Sequence, residues 1–317
     1  MHKMILFVTS LFDLSPFDKG YNRRSIDEYF IASQKLLNLD INLLVFMDSS
    51  LKDKWDSRIR ETKKANVQTV YLKISDLSLW GSIDRIRASR RPNLANEKLS
   101  SEYFLLIWSK FDLMQQAISS KSETYSHFVW IDFGISFWTQ DVDLQRLQML
   151  QTFDKFRVCT YWTSIYPLCV NKDYVFGTVW SQTPAGFWMT TKDIFEKMYP
   201  IFKDLTIELL NSGKVATEED ILSYIRCKYP ELFDCFYGTY GSLIKSFCGI
   251  YVMNEWNLTQ CLNNLKGSGR PTDLGEAHRL ATITLKEILS GQFTVSNECF
   301  KLVTEIITSY TVNKSIN

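Results

Sequence analysis

The feature that most limits the possible folds is an alternation of apolar runs and helical patterns in the first half of the chain. The runs at 4–10, 41–48 and 67–73 have the character of buried strands, and 23–37 and 52–64 between them have the spacing of helices. Strands joined through helices pair in parallel with right-handed crossovers. The pattern therefore predicts an α/β domain built on a mostly parallel sheet.

The second half follows a less regular pattern. The predicted elements are a helix over about 101–119, strands at 128–131, 156–162 and 185–190, and helices at 191–213, 217–229, 276–290 and 295–310. The segment between the last two strands is rich in aromatic residues without a helical period, which predicts a loop. Gly213 is expected as the C-cap of one helix and Thr217 as the N-cap of the next. No repeat or Pro/Ser-rich linker is present, so we expect one continuous domain.

Composition argues against several classes of partner. The formal net charge is +1, so no strong positive field favours nucleic acid. No apolar run approaches the roughly 20 residues that cross a bilayer, and the apolar start is too short for a secretory signal. Seven irregularly spaced cysteines without a C-x-x-C pair predict reduced thiols. We therefore expect a cytoplasmic protein without a transmembrane segment.

Familiar catalytic motifs are missing from the sequence. It contains neither G-x-x-x-x-G-K-[ST] nor a G-x-G-x-x-G after the first strand, which argues against the common phosphate-binding loops. Three histidines are few for a zinc site, and no G-x-S-x-G motif of α/β-hydrolases is found. Carboxylates remain as the main candidates for chemistry.

Asp132 is the first of these carboxylates. It directly follows the strand at 128–131, and open α/β sheets bind ligands at the carboxyl ends of their strands. An oxygen ligand there suits Mg²⁺ or Mn²⁺ bridging a diphosphate. The alternative is an aspartate that caps a helix or a turn, and the sequence leaves both open.

Two other acidic groups also have structural explanations. Asp141 and Asp143 form a literal D-x-D, but they follow no buried strand and are expected in a solvated turn or at a helix start. Glu218 and Glu219 occupy the first turn of the helix after Thr217, where acids interact favourably with the helix dipole. In a cleft, one of them can instead serve as general base for a sugar hydroxyl.

Basic and aromatic residues complete the candidates. Those that can meet a diphosphate are Arg23, Arg24, Arg85, Arg87 and Lys110. Lys110 stands out because its helix leads into the Asp132 strand, and Asp48 can accept a hydrogen bond from a ribose or a base. The aromatic cluster comprises Tyr161, Trp162, Trp180, Phe187 and Trp188, which suit sugar stacking or a core.

Several segments together resemble the HtrL/YibB family. They are VTSLFDL at 8–14, RRSIDEYF at 23–30, SKFDLMQQAI at 109–118, FVWIDFGIS at 128–136 and TEEDILSYIRCKYPELFDCFYGTY at 217–240. That family is similar to glycosyltransferases of the GT-A type, in which a nucleotide-binding α/β sheet is fused to an acceptor-binding part.

The resemblance implies a GT-A-like, Rossmann-type fold with a mixed, mostly parallel sheet flanked by helices and extra C-terminal helices. It implies a nucleotide-sugar-binding half (about 1–136), an acceptor and catalytic half (137–245) and a C-terminal helical extension (246–317). The implied activity is metal-assisted, inverting transfer from a nucleotide sugar, in particular a UDP-sugar, to a saccharide or glycoconjugate acceptor. Mn²⁺ or Mg²⁺ is the implied cofactor.

By position, the resemblance also implies roles for single residues. Asp132 is the metal-associated acid, Glu219 is the catalytic base, and Glu218 is its neighbour in the catalytic pair. The implied donor-binding residues are Thr9, Asp13, Arg24, Asp48 and Lys110, to which we add Arg87, and the acceptor-binding residues are Gly186, Phe187 and Trp188. His278 is either a second metal ligand or a partly exposed helix histidine.

Two positions depart from the expected pattern. Gly134 stands where a D-x-D has its second acid, although the family pattern itself carries glycine there, and Thr239 stands where an acid is expected. Two rival hypotheses therefore stay open. One is a non-catalytic nucleotide-sugar-binding protein on the same fold, and the other is a phosphohydrolase or nucleotidyltransferase that uses Asp132 with Asp141 and Asp143.

Overall fold

The computed structural model describes residues 4–17, 24–62, 66–89, 100–160, 171–177, 183–238, 240–249, 255, 258, 259, 262, 263, 266, 271–291 and 294–316. Its strands are β1 (Ile5–Leu11), β2 (Asn42–Asp48), β3 (Val67–Leu72), β4 (His127–Ile131), β5 (Phe156–Thr160), β6 (Phe187–Thr190) and β7 (Phe233–Tyr237). They form one sheet in the order β3-β2-β1-β4-β6-β5-β7. All neighbours are parallel except at β6, which is antiparallel to β4 and β5. The expected mixed, mostly parallel sheet is confirmed.

Helices flank this sheet and continue beyond it at the C-terminal end. They are α1 (Ile26–Leu37), α2 (Lys52–Thr62), α3 (Ile83–Ala88), α4 (Ser101–Lys121), α5 (Asp141–Leu144), α6 (Lys172–Gly177), α7 (Lys192–Asn211), α8 (Glu218–Lys228), α9 (Leu243–Phe247), α10 (Pro271–Leu289) and α11 (Asn297–Ile316). In the part of the chain that the structure describes, none of them is both long and apolar enough to cross a membrane.

The sheet separates two apolar cores, because alternate residues of each strand face opposite sides. On β1, Leu6 and Val8 pack in the first core and Phe7 packs in the second. Helices α4, α7 and α8 contribute to the first core, whereas α1, α2 and α9 contribute to the second. A third, smaller core belongs to the C-terminal helices.

Both predicted helix ends are found where α7 stops and α8 starts. Helix α7 is capped by Ser212, and Gly213, one residue beyond the cap, has a φ of +68°, a left-handed conformation that favours glycine. At the start of α8, Thr217 Oγ1 accepts from the backbone N of Asp220 at 3.2 Å. The Asp220 carboxylate accepts in return from the Thr217 backbone N. This reciprocal pair fixes the first turn of α8, which carries Glu218 and Glu219.

Two expectations from the sequence are wrong. Strand β7 was not expected, because it lacks a continuous apolar run. It lies at the edge of the sheet, where it pairs with β5. The aromatic segment before β6 was expected to be a loop, but α6 forms within it. The remainder of that segment, including Tyr161, Trp162 and Trp180, lies outside the described residues.

Candidate active site

Asp132 is held in place at the carboxyl end of β4. Its backbone N donates to the Gly186 carbonyl at 2.9 Å, and its Oδ1 accepts from Trp130 Nε1 at 2.8 Å. Trp130 lies two residues earlier on the same face of the strand. The Asp132 side chain is 35% exposed. Its carboxylate is therefore fixed by an indole and open on one side, unlike an aspartate that caps a helix.

Lys110 links Asp132 to the start of α8. Its Nζ lies 2.9 Å from Asp132 Oδ1 and 2.8 Å from Glu218 Oε1, and its side chain is only 10% exposed. Burial by itself lowers the pKa of Lys110, but the two carboxylates outweigh burial and raise it. Lys110 is therefore a permanently charged ammonium that joins α4, β4 and α8.

Glu218 and Glu219 follow Thr217 but face different partners. Burial raises the pKa of Glu218, and the Lys110 ammonium opposes this effect. Glu219 Oε1 accepts from the Ala185 backbone N at 3.2 Å and from the Tyr240 hydroxyl. Burial, followed by the neighbouring charge of Glu218, raises the pKa of Glu219 to about 8. A carboxyl group with this pKa is suited to exchange protons near neutral pH.

A cavity of about 670 Å³ opens beside Asp132. Its walls come from the chain after β1, the start of α1, α4, the segment after β4 and Tyr240. It thereby brings together four of the predicted site residues, which are Asp13, Arg24, Lys110 and Asp132. The volume falls in the range of about 300–1,000 Å³ that is typical of small-molecule sites.

The other predicted donor residues do not line the cavity. Asp48 instead orders the loops beside it, since its two carboxylate oxygens accept from the backbone N of Asp13 at 3.3 Å and of Ser50 at 2.8 Å. Thr9 is fully buried, and its Oγ1 has no hydrogen-bond partner among the residues that the structure describes. Arg87 is bound to Glu102 and Asp84.

Arg24 lies against two aromatic rings at the cavity wall. Its guanidinium carbon is 4.1 Å from the ring centre of Phe137 and 5.0 Å from that of Trp138. Stacking of this kind orients the guanidinium while leaving its edge N–H groups available for an anion. Trp138 is 54% exposed, so this wall offers both an aromatic face and a positive charge to a ligand.

The three predicted acceptor residues are not equivalent. Gly186 packs against Asp132, because a Cβ built there would be 3.1 Å from Asp132 Oδ2. Phe187 and Trp188 are fully buried on opposite faces of β6, one in each core. The structure therefore does not bring these two aromatic rings to the cavity, and they serve the core.

The remaining acidic and histidine candidates also lie away from the cavity lining. His278 is on α10, among the C-terminal helices. Asp141 and Asp143 lie in the first turn of α5, in agreement with the expected helix start. Asp141 pairs with Lys35, whereas Asp143 is buried and bound to Arg146, so the expectation of a solvated position is wrong for Asp143. Thr239 lies outside the described residues.

A divalent metal fits this site only if the substrate completes its coordination. Among the described residues no group of three metal-ligating side chains exists. A second acid at 134 is sterically disfavoured, since a Cβ there would lie 2.8 Å from Tyr29 and 3.0 Å from Phe137. Both bonds to the Asp132 carboxylate, from Trp130 and Lys110, are on Oδ1, and within the described part of the chain none is found on Oδ2. One carboxylate with phosphate oxygens and water is a common way to bind Mg²⁺.

Electrostatics also favours an added cation. One ammonium and two carboxylates, those of Lys110, Asp132 and Glu218, leave this ion triad with a net charge of −1 when all three are ionised. A negatively charged diphosphate placed against the triad is repelled unless a further positive charge comes between them. The donor set therefore fits a divalent metal that arrives with the substrate.

Sequence reasoning missed Phe137 and Trp138, which hold Arg24, and also Trp130 and Tyr240. The sequence identifies Trp130 only as part of an apolar strand, although its spacing of two from Asp132 puts both on one side of the chain. Tyr240 belongs to the matched YGTY segment, but its bond to Glu219 spans 21 residues along the chain. No local pattern predicts such a contact.

Comparison with known proteins identifies a family and a set of distant structures. Residues 3–249 match the family HtrL_YibB, which is described as "Bacterial protein of unknown function". No curated protein matches the chain.

The solved structures that are similar to the chain include a xylosyltransferase and a synthase. Mouse xyloside xylosyltransferase 1 in its apo form shares 9% identity, with 74% of this chain and 84% of that chain covered and a TM-score of 0.40. The 4-diphosphocytidyl-2C-methyl-D-erythritol synthase of Anaerococcus prevotii shares 9% identity, with 76% and 89% covered and a TM-score of 0.35.

A third structure is Rv0371c of Mycobacterium tuberculosis in complex with manganese. It shares 10% identity, with 75% of this chain and 91% of that chain covered and a TM-score of 0.33. Likeness at this level assigns no substrate and no metal to the chain, so its chemistry has to be argued from its own residues.

Proposed function

The chain belongs to the HtrL_YibB family, and from the geometry of its cavity we propose that it is a glycosyltransferase. It moves a sugar from a nucleotide-sugar donor, in particular a UDP-sugar, to a saccharide or glycoconjugate acceptor. The observation that carries the proposal is the arrangement around Lys110. The Lys110 ammonium and the Asp132 carboxylate lie at the cavity wall. Glu218, which binds Lys110, is in the first turn of α8, next to Glu219.

The donor's diphosphate is the group that this arrangement has to receive. It becomes a leaving group with growing negative charge as the bond to the sugar breaks, and fixed cations stabilise that charge. Arg24 and Lys110 are the basic side chains that the described residues contribute to the cavity wall. Two carboxylates offset the charge of Lys110, so Arg24 and the metal would supply the net positive charge. Asp13, whose Oδ1 accepts from the backbone N of Ser15 at 2.9 Å, orders the loop after β1 on the nucleotide side.

Asp132 would hold Mn²⁺ or Mg²⁺ through Oδ2, with diphosphate oxygens and water as the other ligands. The metal supplies the positive charge that the ion triad lacks. Trp130 and Lys110 both hold Asp132 Oδ1, so they orient the carboxylate and leave Oδ2 as the oxygen that would bind the metal.

Glu219 would remove the proton of the acceptor hydroxyl. Its pKa of about 8 makes the ionised form a stronger base than an ordinary glutamate. Attack by the acceptor from the side opposite the diphosphate gives inversion at the anomeric carbon. A retaining reaction does not need this base, so the configuration of the product tests its role.

The test is a panel of nucleotide sugars, with release of nucleoside diphosphate followed in the presence of Mn²⁺ and again with EDTA. We expect release from one donor, lost with EDTA and reduced at least 100-fold in Asp132→Ala. Asp141→Ala is the matched control, because it also removes an acid of a literal D-x-D but lies on the exposed start of α5.

Each result separates the proposal from its rivals. Equal loss in the Asp132 and Asp141 variants contradicts a role for the cavity. Donor binding without turnover, with or without candidate acceptors and unchanged by Glu219→Gln, favours a non-catalytic binding protein. Absence of donor binding overturns the assignment of the cavity.

A further inference from the structure

Tyr240 lies between the cavity and Glu219. It lines the cavity, whereas Glu219 does not. Its hydroxyl donates to Glu219 Oε1, the same oxygen that accepts from the Ala185 backbone N. Tyr240 is therefore the residue that connects the cavity lining to the Glu219 carboxylate.

The position of Tyr240 is fixed by two neighbours. Its ring lies 6.3 Å from that of Trp138, centre to centre, on the aromatic wall. On another side, its Cε1 would be 3.4 Å from a Cβ at Gly186, the residue that also packs against Asp132. The hydroxyl is thereby directed at Glu219, and the phenol shares the Gly186 contact with the candidate metal ligand.

We propose that Tyr240 is a catalytic residue that passes the proton of the acceptor hydroxyl to Glu219. This inference rests on the proposed glycosyltransferase function and adds to it the group that touches the acceptor. Glu219 is then the final proton acceptor and does not itself contact the sugar.

The step is balanced in protons and electrons. The acceptor oxygen forms a bond to the anomeric carbon while the bond from that carbon to the diphosphate oxygen breaks, and the electron pair leaves with the diphosphate. The acceptor proton moves to Tyr240 Oη as the proton of Tyr240 moves to Glu219 Oε1. The phenol is neutral before and after the step.

A concerted transfer agrees with the surroundings of the phenol. Burial, and after it the negative charges of Glu219 and Glu218, raises the pKa of Tyr240 well above its usual range. A free phenolate is therefore costly here. The two proton movements have to be coupled, which is a property that can be measured.

The experiment compares wild type, Tyr240→Phe, Glu219→Gln and the double variant with the donor found in the panel and an accepted saccharide. General base catalysis contributes about 10²–10⁴-fold, so we expect both single variants to lose at least 100-fold in kcat. Donor Kd should stay within about threefold, and the double variant should be no slower than the slower single variant, since the two groups act as one unit. Tyr71→Phe is the matched control, because it removes a tyrosine–carboxylate bond to Asp56 away from the cavity.

Two further readouts separate a relay from simple positioning. If Tyr240 acts only through its hydrogen bond to Glu219, a higher pH should ionise Glu219 and restore the rate of Tyr240→Phe. If Tyr240 relays the proton, the loss of rate should persist at every pH. In mixtures of H₂O and D₂O, the wild-type rate should curve with deuterium content, as two protons in flight require. A linear dependence, recovery at high pH or near-normal kcat in Tyr240→Phe overturns the relay while leaving the glycosyltransferase intact. Absence of turnover by the wild type with every donor and acceptor overturns both.

Discussion

Lys110 is the residue on which the electrostatics of the site depends. It stands between two carboxylates that come from different parts of the chain, and Glu218 is itself only 6% exposed at its side chain. A buried ion pair is not necessarily a net gain in stability, but removal of one partner leaves a charge without compensation. The contribution of Lys110 can therefore be measured by removing it alone.

We expect Lys110→Met to lower the free energy of unfolding by about 3–5 kcal/mol at pH 7, measured by urea denaturation. Methionine keeps the length of the side chain but leaves Asp132 and Glu218 without their cation. Lys35→Met is the control, since its partner Asp141 is exposed, and it should cost less than about 1 kcal/mol. Equal costs for the two variants would contradict the account, and adding Glu218→Gln to Lys110→Met should recover part of the loss.

The raised pKa of Glu219 predicts that the stability of the protein depends on pH. Its pKa in the folded protein, about 8, is above the ordinary value of 4.5. The contribution of such a group to stability is fully present below pH 4.5 and is lost as the pH rises to about 8. Relative to Glu219→Gln, the wild type should therefore lose stability on the order of 1–3 kcal/mol over this window.

Glu28 is a control for the sign of this pH dependence, because its pKa is shifted in the opposite direction. Hydrogen bonds from Ser25 lower the pKa of that glutamate, so its contribution is present above the unfolded pKa and disappears as the pH falls. Unfolding of wild type, Glu219→Gln and Glu28→Gln is compared from about pH 2.5, below the lowered pKa of Glu28, to about pH 9. Differences of the same sign in both variants would show that the raised pKa of Glu219 is wrong.

At the scale of elements, the turn after β4 carries the departure from a D-x-D. Gly134 has an ordinary negative φ of −91°, so the reason for glycine is space and not backbone conformation. The rings of Tyr29 and Phe137 occupy the volume that a side chain would need. Phe137 also holds Arg24, and Tyr29 packs edge-on against Phe137. The turn therefore has glycine where a second acid would displace these rings.

We expect Gly134→Ala to destabilise the protein by about 1–3 kcal/mol, as overpacking does in other cores. Gly81→Ala is the matched control, because a Cβ at Gly81 meets nothing within 4 Å. It should change the free energy of unfolding by less than about 0.5 kcal/mol. Thermal or urea unfolding decides the matter, and a Gly134 variant as stable as the Gly81 variant would refute the steric explanation.

The elements that could be predicted from the sequence are those whose burial is visible as a local apolar pattern. Strands β1, β2 and β4 are continuous apolar runs because helices cover both faces, and their positions were expected to within a residue or two. Strand β7 gives no such signal at the edge of the sheet. For Phe187 and Trp188 the sequence left sugar stacking and core packing open, because an aromatic residue in a buried strand and one in a sugar site have the same local pattern, and both are buried in the structure.

At the scale of the whole molecule, the site depends on contacts that no sequence pattern reports. Lys110 and Glu218 are 108 residues apart along the chain. They meet because α4 and α8 pack on the same face of the sheet. The antiparallel insertion of β6 beside β4 brings Gly186 to Asp132. The sequence could name Asp132, Lys110 and Glu219 singly, but not Tyr240, whose role appears only after folding.

The C-terminal helices provide a test of domain organisation. In the described part of the chain, their core shares no residue with the two cores of the sheet, and the family match ends at residue 249. A chain truncated after Gly249 should therefore unfold cooperatively and bind the donor with unchanged affinity. Truncation after Leu232, which removes β7 and α9 from the second core, is the control that should fail to fold. Loss of cooperative unfolding in the longer chain would assign α10 and α11 to the main fold.

The most direct measurement of the central claim is the identity of the phosphorus-containing product, followed by ³¹P NMR during turnover of the nucleotide sugar. We expect a nucleoside diphosphate, because the bond that breaks joins the anomeric carbon to the diphosphate in the cavity beside Lys110 and Asp132. Appearance of nucleoside monophosphate or pyrophosphate would contradict it, since the bond broken would then lie within the diphosphate and the protein would be a phosphohydrolase or nucleotidyltransferase.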